Sequence, residues 1–373
     1  MRASAYLRLA AASLLLAAGA LWLLARSCAP VVAADPFEAK IYRGLAAGHN
    51  VVFPGNLDEH ALRWKIADLL PTAPDLAVFG SSHGLRVGAA LFGGRRLVNF
   101  SISGAALPDH LITSGILARR HLWPKVCLVF ADPWLFDKDT DFGSWRARAV
   151  ELARMENAVA LLSTPPVPPI FSPHAASRDL SVGYLGYSLA PIAARLNDVL
   201  RDALEGVFVT DASNVSANLI LPDGSILPPA DRRLISAEES RDTALRQLAS
   251  QRDLRRYGTF ARLDTALWQQ FENWLKFLQR GGTQVVLVLP PYHPAIYREI
   301  LRHPDNHLVA VEARVRLLAY KLGTPLVGSY DPVRAGVGPG DFQDGDHLLE
   351  AGLRRLFALA ISTLGAPATA PAR

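Results

Sequence analysis

Two short stretches hold the side chains best placed to do chemistry. Ser81 and Ser82 lie between Gly80 and Gly84 in DLAVFGSSHG (residues 75–84), and Asp344 precedes His347 by three in DGDH (residues 344–347). A serine hydroxyl becomes a nucleophile only with a base in hydrogen-bond reach and a third group orienting that base. An Asp-x-x-His pair on one turn supplies both. The carboxylate takes the Nδ1 proton and leaves Nε2 free toward a hydroxyl. Among ten histidines, His347 stands out because Asp344 and Asp346 both flank it. Two blander roles compete. Ser81 or Ser82 would cap a following helix, and Asp344 or Asp346 would cap the last helix with His347 as surface decoration.

The elements that must position these groups follow from apolar runs. Leu76–Phe79 passes directly into the glycine and serines, as a buried parallel strand does. Leu97–Phe100 ends in Ser101-Ile-Ser-Gly104, and Val126–Phe130 ends in Ala131-Asp132-Pro133-Trp134. Gln284–Leu289 leads to a proline-rich loop carrying His293, and Pro325–Val327 gives a fifth, short strand. Helices are predicted at Asp58–Leu70, Asp109–Arg120, Asp305–Leu322 and from Leu348 onward, with a long helical region, Ala237–Gln279, broken at Gly258. Leu85, Val87 and Leu91 continue at helical spacing past the serines, so a helix N-terminus is expected to favour an oxyanion there. Strand, small-residue loop and helix repeat, which predicts an α/β fold with a doubly wound parallel sheet. In such sheets ligands bind beyond the carboxyl ends of the strands.

The alternation breaks at residues 137–236. This insertion carries helices predicted at Arg146–Leu162 and Leu189–Leu204, prolines clustered between 165 and 173, and a hairpin at Leu219–Leu227 turning on Asp223-Gly224. It is long enough to hold structure of its own and is expected to serve as a lid or substrate cap. The chain thus divides into an N-terminal segment (1–34), a stalk and lead-in (35–74), a core (75–136 and 237–373) and the insertion.

Gly-Ser-Ser after the first strand, Ser-Gly-Ala after the second and Asp-x-x-His before the last helix occur in that order, and together they resemble the SGNH/GDSL hydrolase superfamily. The resemblance covers about residues 75–134 and 283–360. It implies a flavodoxin-like three-layer sheet, Ser82 as nucleophile with Ser81 in place of the usual aspartate, and a triad completed by Asp344 and His347. Gly104 and the Ser82 backbone would supply oxyanion N–H groups. His293 and Asp132 are candidate substrate contacts. The third block of that superfamily normally offers an asparagine that donates to the oxyanion. Here Asp132 stands in that region, and an ionised carboxylate cannot donate. Losing one such donor costs roughly 10²–10³ in rate.

Bulk properties exclude other classes. The net charge of +5 falls to +2 without Arg2, Arg8 and Arg26, and no basic run with interleaved aromatics argues for nucleic acid. Of two cysteines, Cys28 lies past the N-terminal apolar run and Cys127 within a predicted strand, with neither metal spacing nor a pairing. No cofactor or metal is expected, because Asp132, His293, Asp344 and His347 lack paired ligand spacing.

Leu9–Ala25 is an uncharged run of seventeen residues after Arg2 and Arg8. It reads as a membrane anchor with the body extracytoplasmic (periplasmic in a Gram-negative source), a cleavable signal ending near Val32-Ala-Ala34 being the alternative. An anchor, a Gly-Ser-Ser block and a large insertion resemble the envelope-modifying members of the superfamily, of the teichoic-acid D-alanylation and exopolysaccharide O-acetyltransferase kinds. That resemblance implies an acyl donor or acylated glycan as substrate and a membrane-bound acyltransferase as partner. The expected function is a serine-dependent esterase or O-acyltransferase. The alternative is a catalytically degenerate member that binds glycan or assembles an envelope polysaccharide system.

Overall fold

Parallel strands buried on both faces need continuous apolar sequence, and five such runs build the central sheet. The computed structural model describes residues 12–17, 19, 20, 22, 36–53, 57–140, 144–171, 208–251 and 254–365. Helix α1 (Pro36–Ala46), strand β1 (Asn50–Val52) and helix α2 (Glu59–Leu69) precede the first core strand, β2 (Leu76–Phe79). Then come β3 (Leu97–Asn99), α3 (Leu107–Arg119), β4 (Val126–Phe130) and α4 (Ala149–Ala160). Three short strands follow: β5 (Val209–Thr210), β6 (Leu219–Ile220) and β7 (Ile226–Leu227). The chain closes with α5 (Ala237–Ser250), α6 (Thr265–Arg280), β8 (Gln284–Leu289), α7 (Pro294–Ile300), α8 (Leu308–Leu322), β9 (Leu326–Gly328) and α9 (Glu350–Gly365).

The main sheet has the order β3-β2-β4-β8-β9, with every neighbouring pair parallel. Counting core strands alone this is 2-1-3-4-5, the order of flavodoxin-like sheets, so the chain reverses direction of winding beside β2. Ala77, Phe79, Cys127, Val129, Val285 and Leu287 face one layer with Leu111 and Ile112 of α3, Trp274 of α6 and Val315 of α8. Leu76, Val78, Leu128, Phe130, Val286 and Val288 face the other, with Leu353, Leu356 and Phe357 of α9. The expected region Ala237–Gln279 divides into α5 and α6. Asp264 caps α6, its carboxylate accepting from Ala266 N (2.9 Å) and Leu267 N (3.0 Å).

Three regions differ from expectation. Among the described residues no helix is long and apolar enough to cross a membrane. Part of Leu9–Ala25 lies outside them; the described part, 12–17, 19, 20 and 22, is helical and exposed. The expected helix Leu189–Leu204 also lies outside them. Second, the supposed stalk is packed: Ile41 and Leu45 of α1, Val51 of β1, and Leu62 and Trp64 of α2 join the core. Third, no α-helix follows the serines. The chain runs through successive turns (Gly84 N to Ser81 O, 3.0 Å; Val87 N to Gly84 O, 3.0 Å) into a 3₁₀ turn at Ala89–Phe92. The cause is Asn99. Its Nδ2 donates to the carbonyls of Gly84 (2.8 Å), Leu85 (3.3 Å) and Val87 (2.9 Å), taking acceptors that a helix would need.

A second, antiparallel sheet has the order β5-β1-β6-β7 and joins the lead-in to the insertion. Asn50 pairs with Thr210, Val51 with Ile220, and Leu219 with Leu227. The β6–β7 hairpin is tied to the core. Ile226 N donates to Leu85 O (2.7 Å), and Asn99 N donates to Asp223 O (2.8 Å). Buried Arg63 donates through Nε to Ser101 O (2.9 Å) and through Nη1 to Gly224 O (2.6 Å). Gly224 has φ +82°, and a Cβ there would lie 2.8 Å from Arg63 Nη1 and 2.9 Å from Asn99 O. The Gly224→Ala protein is therefore expected to lose about 1–3 kcal/mol of stability. A urea midpoint equal to that of the parent chain would show that the turn tolerates the methyl group.

Candidate active site

The loops after β2, after β3 and before α9 converge at the carboxyl edge of the main sheet. There Ser82 and His347 line one cleft of about 260 Å³ together with Glu59, Arg86, Ser103 and Asn218. The turn separates the two serines. Ser81 is wholly buried, while Ser82 is half-buried in the cleft. The separation comes from Asp132, at the end of β4. Its buried carboxylate accepts from Ser81 N (3.3 Å) and from His83 Nδ1 (2.6 Å), and Ser81 Oγ in turn accepts from His83 N (3.2 Å). Ser81 and His83 are thereby drawn inward, and Ser82 between them faces out.

The His347 ring is oriented by two carboxylates. His347 Nδ1 lies 2.9 Å from both oxygens of Asp344 and 3.2 Å from Asp346 Oδ1. All of these neighbours are acceptors, so Nδ1 carries the proton and Nε2 of the neutral ring is the basic nitrogen. Asp344 is itself fixed by the backbone N–H groups of Asp346 (3.1 Å) and His347 (2.9 Å). Burial opposes charge on both partners. Even so, the His347 charge and these hydrogen bonds hold the Asp344 carboxyl well below the usual carboxylate range. For His347, burial works against protonation, but Asp346 and Asp344 outweigh it and hold its pKa above the ordinary histidine value.

Asp346 ties this pair to the turn after β2. Its buried carboxylate pairs with Arg256, accepts from Gln247 Nε2 (3.1 Å), and lies 3.8 Å from His83 Nε2. The His83 and His347 rings are 6.0 Å apart. Asp344, Asp346 and His347 bring three potential metal donors together. His347 Nδ1 is within hydrogen-bond reach of both carboxylates, and Asp346 is also paired with Arg256.

Two backbone donors face no competitor. Among the described residues the N–H groups of Ser82 and Gly104 donate to nothing. The loop carrying Gly104, at φ +66°, is fixed by Glu59, whose carboxylate accepts from Ser103 N (2.7 Å) and Ser103 Oγ (2.9 Å). Arg86 spans the turn and the last loop, donating to Leu348 O (3.0 Å) and to Gln343 Oε1. Ser82 Oγ and His347 share the cleft without a direct hydrogen bond, a contact that in such sites often forms only around substrate.

Asp132 and His293, expected as substrate contacts, do not line this cleft; both are wholly buried. Asp132 is engaged by Ser81 and His83 of the turn after β2. His293 Nδ1 accepts from Ala295 N (3.1 Å) and caps α7, while burial draws its pKa down to about 4. Asn99, Glu59, Arg86 and Arg256 were not singled out by sequence. Asn99 gave a signal, a polar residue inside the apolar run Leu97–Phe100, whereas the other three are unexceptional charged residues until the chain is folded.

No family model matches the chain, and no curated protein does. Among solved structures it is similar to the crystal structure of a "putative acylhydrolase" from Bacteroides fragilis, at 10% identity and a TM-score of 0.36, over 84% of this chain and 99% of that one. A score that low carries no argument, and the chemistry rests on the geometry.

The raised His347 pKa is measurable. By NMR titration its imidazole is expected to titrate above the ordinary value near 6.5, and Asp344→Asn is expected to move it down, since removing a carboxylate disfavours the imidazolium. A value unchanged by that substitution would mean the pair does not couple.

Proposed function

We propose that this chain is an SGNH-type serine acyl-ester hydrolase or O-acyltransferase, with Ser82 as nucleophile, His347 as general base and Asp344 as its orienting group. The observation that carries the reading is the shared cleft. It presents the half-buried Ser82, with its unengaged N–H, in the same cleft as a histidine whose Nδ1 proton is held by Asp344; Gly104, whose N–H is also unengaged, follows the cleft-lining Ser103 in the chain. Ser82 Oγ attacks the ester carbonyl carbon as His347 Nε2 takes its proton. The N–H groups of Ser82 and Gly104 receive the oxyanion. Collapse expels the alcohol, which takes the proton from His347. Water or a sugar hydroxyl then attacks the acyl-serine as His347 takes its proton, and collapse expels Ser82 Oγ, which receives that proton back from His347.

The finer reading extends the resemblance. The chain acts outside the cytoplasm, held by its N-terminal segment, on an acylated envelope or exported polysaccharide, with a membrane-bound acyltransferase as partner. Two backbone donors without a third from an asparagine make a modest oxyanion site, which also supports the rival reading of a glycan-binding member without turnover.

A fluorophosphonate probe separates the two. The parent protein is expected to label at Ser82, with labelling abolished in Ser82→Ala and strongly reduced in His347→Ala. Ester hydrolysis is expected to fall by at least about 10³-fold in each variant. It is also expected to fall toward acid pH through a pKa above the ordinary histidine value, because only neutral His347 accepts the proton. A correctly folded parent that neither labels nor hydrolyses esters would leave the binding role.

A further inference from the structure

A second cavity adjoins the cleft. It is a groove of about 510 Å³ lined by apolar side chains that include Leu91, Leu221, Ile226, Leu227, Leu349 and Leu353. It shares Arg86, Ile226 and Pro228 with the cleft that holds Ser82 and His347, so the two meet at a common wall formed by β7. Their linings differ in kind. The cleft collects Ser82, His347, Ser103, Glu59 and Asn218, which suit a carbonyl and a polyhydroxyl alcohol. The groove lies between the hairpin and the first turns of α9, with Leu234, 90% exposed, in its lining and Arg233, Glu350 and Arg354 also lining it.

We infer that the groove holds the acyl chain of the substrate, so that the ester attacked by Ser82 carries an extended alkyl chain rather than an acetyl group. This rests on the serine reading above and adds the substrate class. Adjacency to the cleft is what selects the occupant: Arg86, Ile226 and Pro228 line both, so a chain leaving the carbonyl at Ser82 past Ile226 and Pro228 is directed to the groove. Its volume falls within the range of small-molecule sites. Arg86, held by Leu348 O and Gln343, stands at the junction and keeps the polar end of the ester out of the groove. The hairpin wall is fixed rather than hinged, through Ile226 N to Leu85 O and Arg63 to Gly224 O. The groove is therefore formed before substrate arrives.

The test uses p-nitrophenyl esters from C2 to C12, with sodium dodecanoate as a ligand. Each buried methylene contributes up to about fourfold in kcat/KM, so a rise of at least tenfold from C2 to C8 is expected. Ala90 and Ala351 line the groove and are exposed, so Ala90→Trp and Ala351→Trp block it without entering the core. Both are expected to abolish the chain-length preference and dodecanoate binding, while C2 hydrolysis and fluorophosphonate labelling stay at the parent level. Labelling with equal rates for C2 and C8, or a preference that survives both tryptophans, overturns the groove assignment. If instead Ser82→Ala binds dodecanoate, Ala351→Trp does not, and the parent fails to label, the groove stands and the serine mechanism falls.

Discussion

Much of this site depends on the Asp132 carboxylate having no access to water. A buried carboxylate costs several kcal/mol unless donors surround it. The donors on hand are the backbone N–H of Ser81 and the Nδ1–H of His83. Satisfying Asp132 therefore dictates the course of the turn after β2. Two neighbouring serines of identical chemistry acquire opposite fates, one as an internal hydrogen-bond bridge and the other as the group offered to the cleft. Which serine reaches the cleft is thus specified by a residue that does not line it.

The same economy of buried charge runs through the last loop. Asp346 stands between His83 and His347 and is balanced by Arg256, so the turn after β2 and the last loop share one electrostatic cluster. The two loops rise from the carboxyl ends of β2 and β9, with β4 and β8 between them in the sheet, so the last loop reaches back along the sheet edge to join the turn. The rigid part of the molecule is the sheet. The geometry of the cleft lies in how the loops around it are pinned by Asn99, Glu59 and Arg86.

The core strands were legible because parallel strands buried on both faces leave uninterrupted apolar runs, as at Val126–Phe130 and Gln284–Leu289. The Asp344–His347 pair was legible because it is local. Asp132 was not: a carboxylate at a strand end looks the same whether it faces a ligand or a neighbouring turn, and only the packed fold decides. The helix expected after Ser82 failed for a similar reason. Local periodicity at Leu85–Leu91 was overridden by one side chain, Asn99, arriving from the next strand. The small sheet left almost no trace, since strands of two or three residues carry no period and β1 finds its partners more than 150 residues away.

That small sheet bears on how the insertion can be regarded as a module. An added segment that folds on its own can be trimmed, exchanged or lost without disturbing its host. Here the far end of the insertion completes a sheet begun by β1, before the core starts, and its turn is the acceptor for a guanidinium buried beneath it. Excising it would leave Arg63 charged and half-paired in the interior and Val51 without its cover. Host and insertion have become a single architectural unit. Substrate preference in this fold would then change through substitutions along the hairpin rather than by swapping the segment as a whole.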